Sequence, residues 1–206
     1  MLAFSVRRDD ELTSESECEI IEKDLTLVGI TAVEDLLQDD VAKCIQDFRL
    51  AGIKVWMLTG DKGETALEIG QRCGLYDCQK MKLIQVAEEV EDRLLYDSLT
   101  EAQRQVSEAE EGSKFAMAVA GKSLPVIYNN IALRECINYL FANSAAVIVY
   151  RSSPAQKAET VKYIRKHLGG GFFNRMTTMA IGDGANDVNM IQSAHIGIGI
   201  FGKEGN

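Results

Sequence analysis

Apolar residues in this chain follow two rhythms that take turns. Residues 25–30 (LTLVGI), 53–58 (IKVWML), 115–120 (FAMAVA), 145–150 (AAVIVY), 176–181 (MTTMAI) and 195–200 (HIGIGI) are short runs dominated by apolar side chains. Each reads as a strand without a polar face. Between them, apolar positions recur with helical spacing. Val41, Ile45, Phe48 and Leu50 mark a helix over 38–51, and Ala66, Ile69 and Cys73 mark another over 62–74. Further helical stretches fall at 130–141, 154–168 and 186–194. Strands buried on both faces and alternating with helices predict an α/β fold, a mostly parallel sheet flanked by helices.

Two stretches break the alternation. Residues 1–24 are charged and irregular, with an acidic cluster from Asp9 to Glu19, and read as the trailing end of a preceding region; the domain proper is then 25–206. Residues 88–111, EEVEDRLLYDSLTEAQRQVSEAEE, are acidic and amphipathic and read as a solvated helical insertion.

Composition narrows the picture. With 46% hydrophobic residues, 206 residues suffice for one sizeable core. A net charge of −9 argues against a nucleic-acid surface, which needs clustered Lys and Arg. Five cysteines (Cys18, Cys44, Cys73, Cys78, Cys136) without a CxxC pair fit a reducing compartment. No run approaches the roughly 20 apolar residues that span a bilayer, and the N-terminus lacks a signal-peptide pattern, so a soluble chain is expected.

Candidate chemistry follows from the fold, because a parallel sheet collects ligands at the C-terminal edge of its strands. Three polar turns fall there: Thr59-Gly60-Asp61-Lys62, Arg151-Ser152-Ser153-Pro154-Ala155-Gln156-Lys157 and Gly182-Asp183-Gly184-Ala185-Asn186-Asp187. Thr59 offers a hydroxyl and Gly60 an unshielded N–H to phosphoryl oxygens. Asp61 with Glu64 reads as a helix start. Ser153-Pro154 starts another helix and puts Lys157 in its first turn, where the dipole disfavours a cation unless a phosphate or carboxylate compensates. If a helix begins after Gly184, Asp183 and Asp187 lie one turn apart and repel by roughly 0.2–0.5 kcal/mol. A divalent cation relieves that repulsion, and a few oxygen ligands without His or Cys suit Mg²⁺.

Other motifs fail on context. Gly197, Gly199 and Gly202 spell GxGxxG within a strand-like run, and Gly121-Lys122-Ser123 has Ala116 where a P-loop needs glycine. His167 and His195 have no paired ligand at metal spacing and read as structural or surface residues.

With these residues in hand, the chain resembles the phosphorylation domain of P-type ATPases, a branch of the haloacid-dehalogenase-like superfamily. The blocks IEKDLTLVGITAVED, AGIKVWMLTGDKGETA, RSSPAQKAETV and IGDGANDVNMIQSAHIGIGIFGKEG carry the likeness nearly end to end. Their wording is most similar to the type IV subfamily, the phospholipid flippases. The resemblance implies a Rossmannoid fold incomplete at its N-terminal strand, with catalytic roles for Thr59, Lys157 and Asp183. Thr59, Gly60, Asp61, Arg151, Lys157, Asn186 and Asp187 would bind phosphate or nucleotide, and Asp183 and Asp187 would hold Mg²⁺. Asp35 would lie at the hinge and nucleotide side.

The family's nucleophile is the aspartate of DKTGT, a motif absent from these 206 residues. Leu36 and Asn189 also depart from the flippase wording. The resemblance therefore implies a fragment of the cytosolic part of an integral membrane ATPase, inactive alone. ATP and phospholipid would be partners of the whole, together with missing membrane, actuator and nucleotide-binding domains, and there is room for an accessory subunit. Two other functions fit some of the residues: a stand-alone phosphatase of the same superfamily, and a non-catalytic module binding Mg²⁺ and phosphate.

Overall fold

Buried strands need partners and covering helices, and the computed structural model shows which ones each strand finds. It describes residues 2–6, 26–31, 37–86, 88, 91–168 and 176–200. They divide into two compact units, Met1–Asp39 and Asp40–Asn206.

In the first unit, β1 (Leu2–Val6) pairs antiparallel with β2 (Thr26–Thr31), with a register shift between Phe4 and Ser5. The run at 25–30, expected in the parallel sheet, is thus half of a two-stranded antiparallel ladder. Leu27, Val28 and Ile30 stay 56–68% exposed, which a central parallel strand would not allow. Periodicity identifies a strand but not its partner. The partner here, LAFSV, sits in a segment that charge alone had marked as irregular.

The second unit begins with α1 (Val41–Leu50), β3 (Val55–Leu58) and α2 (Gly63–Arg72), followed by β4 (Lys82–Gln85) and α3 (Asp92–Ser107). Next come β5 (Phe115–Ala120), a 3₁₀ turn at Gly121–Ser123, α4 (Leu124–Asn129), α5 (Ile131–Asn143), β6 (Ala146–Tyr150) and α6 (Pro154–His167). The unit continues through β7 (Met179–Gly182), a 3₁₀ turn at Ala185–Asp187, α7 (Val188–Ser193) and β8 (Ile196–Gly199). Strands β3, β6, β5 and β4 form one sheet in that order, every pair parallel. β7 and β8 form a separate parallel pair.

All six residues of β5 are buried, and their alternation sorts the core. Met117 and Val119 face one way with Val147 and Val149 of β6, into a layer built from Leu95, Leu99, Leu133, Ile137 and Phe141. Ala116, Ala118, Ala146 and Ile148 face the other way, toward Ala66, Leu75 and Tyr76. Small side chains there let α2 approach closely: a Cβ on Gly70 would stand 2.8 Å from Cδ1 of Ile148.

Two expectations change. Strand β4 was not legible in KLIQ, which has only two apolar residues between Lys82 and Gln85. The 88–111 stretch is not merely a solvated helix, because Leu95, Leu99 and Ala102 of α3 are buried in the main core at helical spacing. Its acidic face conceals an apolar stripe. Among the described residues no helix is long and apolar enough to cross a membrane.

Candidate functional site

The parallel register brings the ends of β3, β6 and β5 to one edge, and backbone hydrogen bonds continue past the strands. Thr59 N–H donates to the Val149 carbonyl at 2.9 Å, Ser152 N–H to the Thr59 carbonyl at 2.9 Å, and Arg151 N–H to the Asp61 carbonyl at 2.8 Å. Two of the three predicted turns are thereby stitched together. Arg151 adopts φ +50°, a left-handed conformation uncommon for a side-chain-bearing residue. The Thr59 hydroxyl donates to Asp61 Oδ2 at 2.7 Å and accepts from Asp61 N–H at 3.1 Å. Asp61 is therefore occupied with Thr59, and the N-cap of α2 is Lys62, without a side-chain cap. That corrects the expected Asp61–Glu64 helix start.

The second helix start forms as its sequence requires. Ser153 accepts from Gln156 N–H at 3.3 Å while the Gln156 side chain accepts from Ser153 N–H at 2.9 Å, a capping box with Pro154 in the first turn. Lys157 follows with its ammonium at the wrong end of the helix dipole. Its compensation is a carboxylate: Lys157 Nζ donates to Asp187 Oδ1 at 2.8 Å, with the two side chains only 13% and 14% exposed. This ion pair joins the third turn to the second.

Asp187 reaches Lys157 because Gly182 has no side chain. A Cβ there would stand 2.4 Å from Asp187 Cβ and 2.8 Å from Oδ2. The glycine therefore admits a neighbouring carboxylate. Gly184 is extended and the helix begins as a 3₁₀ turn, so Asp183 and Asp187 are not i, i+4 neighbours on one α-helix. Asp183 and Asn186 are exposed, and Asp183 has no hydrogen bond or ion pair among the described residues. No group of three or more His, Cys, Asp or Glu gathers there, again among the described residues. Asp35 lies outside the described residues.

Three neighbours were missed: Glu88, Lys122 and Gly121. Glu88 Oε1 lies 3.3 Å from Arg151 Nη1 and 3.4 Å from Lys122 Nζ. A Cβ on Gly121 would meet Ser152 Cα at 2.8 Å and the Arg151 carbonyl at 2.9 Å. Ser152 Oγ is buried without a hydrogen-bond partner among the described residues. Extending the strand-end rule would have found Gly121 and Lys122, which directly follow β5. Glu88 follows β4, and was lost with it.

This arrangement can be set beside known proteins. A family model described as haloacid dehalogenase-like hydrolase matches residues 30–200. The chain belongs to the haloacid dehalogenase-like hydrolases. This haloacid dehalogenase-like chain is similar to the phospholipid-transporting ATPase DNF1 of Saccharomyces cerevisiae, with 39% identity over 98% of the chain. It is 42% identical to the probable phospholipid-transporting ATPase 4 of Arabidopsis thaliana, again over 98% of its length. Identity is also 42% to the phospholipid-transporting ATPase C887.12 of Schizosaccharomyces pombe, over 91%. The chain spans only 14–17% of the length of these relatives, so it is homologous to one region of them.

Proposed function

We propose that this chain is most of the phosphorylation domain of an ATP-driven phospholipid-translocating ATPase and supplies the phosphate- and Mg²⁺-binding half of its site. The observation that carries the proposal is the meeting of Lys157 and Asp187 at 2.8 Å, which joins a nearly buried cation to the turn that also carries the exposed Asp183. On this reading residues 25–206 form the domain and residues 1–24 trail from the nucleotide-binding region.

The Thr59 hydroxyl and Gly60 N–H would orient a phosphoryl group, Lys157 would offset its charge, and Arg151 and Asp61 would face the nucleotide. Asp187 would hold Lys157 in place and Asn186 would contact phosphate. The donor set fits Mg²⁺ of the kind that keeps its waters: Asp183 would be an exposed oxygen ligand, with Asp187 on the same turn and no group of three or more His, Cys, Asp or Glu gathered among the described residues. When bound, the ion would neutralise charge on the transferring phosphoryl group.

The aspartate that accepts phosphate would come from a strand outside these 206 residues, which contain no DKTGT. Among the described residues β3 pairs only with β6 and β7 only with β8, so each keeps one unpaired edge. Leu58 at the end of β3 packs on the cluster formed by Val161, Ala180 and Met190. Radiolabelled acetyl phosphate and Mg²⁺ offered to the chain should leave no covalent phosphoenzyme, whereas label retained through denaturation would overturn this division of labour. Inorganic phosphate with Mg²⁺ should bind weakly, and Asp183→Asn should abolish that binding.

A further inference from the structure

A second cavity lies along the other half of α6, with a volume of about 320 Å³ and walls formed by Lys162, Arg165, Lys166, Met176 and His195. Lys162 to Lys166 begin five residues beyond Lys157, so these cations sit roughly 8–14 Å along the helix axis from it. The cavity is thus separate from the site already described.

Apart from Met176, its lining side chains all carry N–H groups. In a chain of net charge −9, none of Lys162, Arg165 and Lys166 pairs with a carboxylate among the described residues. Arg165 Nη1 donates to the Ser193 carbonyl at 2.5 Å, which orients the guanidinium and leaves its other N–H groups available. His195 Nδ1 lies 3.1 Å from Thr178 N–H, which can only donate. The ring must accept there, so its proton sits on Nε2 as a further donor. Basic residues at the end of a helix are ordinary dipole partners. Lys162, a full turn earlier, and His195, from the segment between α7 and β8, have no such explanation.

We propose that this cavity binds a phosphate monoester. Three cations and an imidazole N–H call for a dianion with several terminal oxygens, which a single carboxylate does not supply. The volume exceeds that of phosphate alone, and Met176 gives an organic substituent an apolar wall. Such a group could belong to a small soluble ester or to a lipid headgroup.

The test is an NMR titration of the 206-residue chain without Mg²⁺ at constant ionic strength. The probes are inorganic phosphate, glycerol 3-phosphate, and vesicles containing phosphatidic acid or only phosphatidylcholine. Saturable shifts of the Thr178 and His195 amides are expected, with affinity lowered at least about tenfold in Lys162→Gln/Lys166→Gln. Saturation by glycerol 3-phosphate assigns a soluble ester, and a response confined to phosphatidic acid vesicles assigns a headgroup. Shifts that the double variant leaves unchanged, or that chloride reproduces, overturn the proposal, as does no response to any probe. Lys166→Gln alone, at an exposed position, should weaken binding in the same direction and guards against misfolding of the double variant.

Discussion

The turn after β6 sits on a strand with four of its five residues fully buried and is held by two backbone hydrogen bonds to the turn after β3, which itself donates a third to Val149 of β6. The turn after β7 hangs from a two-stranded sheet in which Met179, Ile181, Ile196 and Ile198 remain 40–50% exposed. It is tied to the first region by the Lys157–Asp187 ion pair, the Arg165–Ser193 hydrogen bond, the packing of α7 on α6, and a small cluster around Ala180. A site assembled across such a seam has one side set by the buried sheet and another set by helix packing and side-chain contacts. The second side is the easier to disturb.

Gly182→Ala should break the contrast most severely. The added Cβ would overlap Asp187 itself, a side chain fixed close to its own backbone, and we expect a loss of about 3 kcal/mol or more by chemical denaturation. Amide exchange should rise in β7 and β8 but not in β5. Asp187→Asn comes next: it leaves a nearly buried ammonium without its counter-charge, at a cost of about 2–3 kcal/mol. Combining it with Lys157→Met in a double-mutant cycle should recover much of that loss, and strict additivity would show that the pair does not couple the turns.

Gly121→Ala tests the firmer side. Its Cβ would press on the Ser152 and Arg151 backbone, and about 1–3 kcal/mol should be lost, with exchange rising at 151–157 and no local opening of β7. The mildest probe is alkaline pH. Tyr128 and Tyr163 stack with ring centroids 3.8 Å apart, and burial pushes both phenols up, that of Tyr163 to about 12. Their folded pKa values exceed the unfolded one near 10, so the unfolded state loses protons first as pH rises. Stability should be fully present below about pH 10 and decline from there toward pH 12. Tyr163→Phe should flatten that decline in denaturation curves taken across the range.

The same contrast decided what could be read from sequence. Strands β5 and β6 lie buried on both faces, so FAMAVA and AVIVY are continuous apolar runs and were placed within a residue of their observed bounds. β4 lies at the sheet edge with Lys82 and Gln85 exposed, and its KLIQ carries no such run. β2 was found as a strand, but the choice of β1 over the parallel sheet depends on pairing between distant segments, which local pattern does not encode. The strand-end turns were legible because glycine, threonine, proline and lysine have strong local meanings. What Gly182 makes room for was not, since the identity of the group that fills its missing Cβ is a tertiary fact. Likewise Lys157 advertised a need for an anionic partner, and only the fold showed that Asp187 meets it.

The unpaired edges of β3 and β7 also bear on how the isolated chain behaves in the test tube. Among the described residues each offers a row of N–H and C=O groups with no strand partner, and neither edge strand carries a charged residue or a proline to discourage a visitor. Another copy of the chain can supply the missing ladder. Self-association that grows with concentration is the expected outcome, and a peptide able to cap either edge would be the natural solubilising additive.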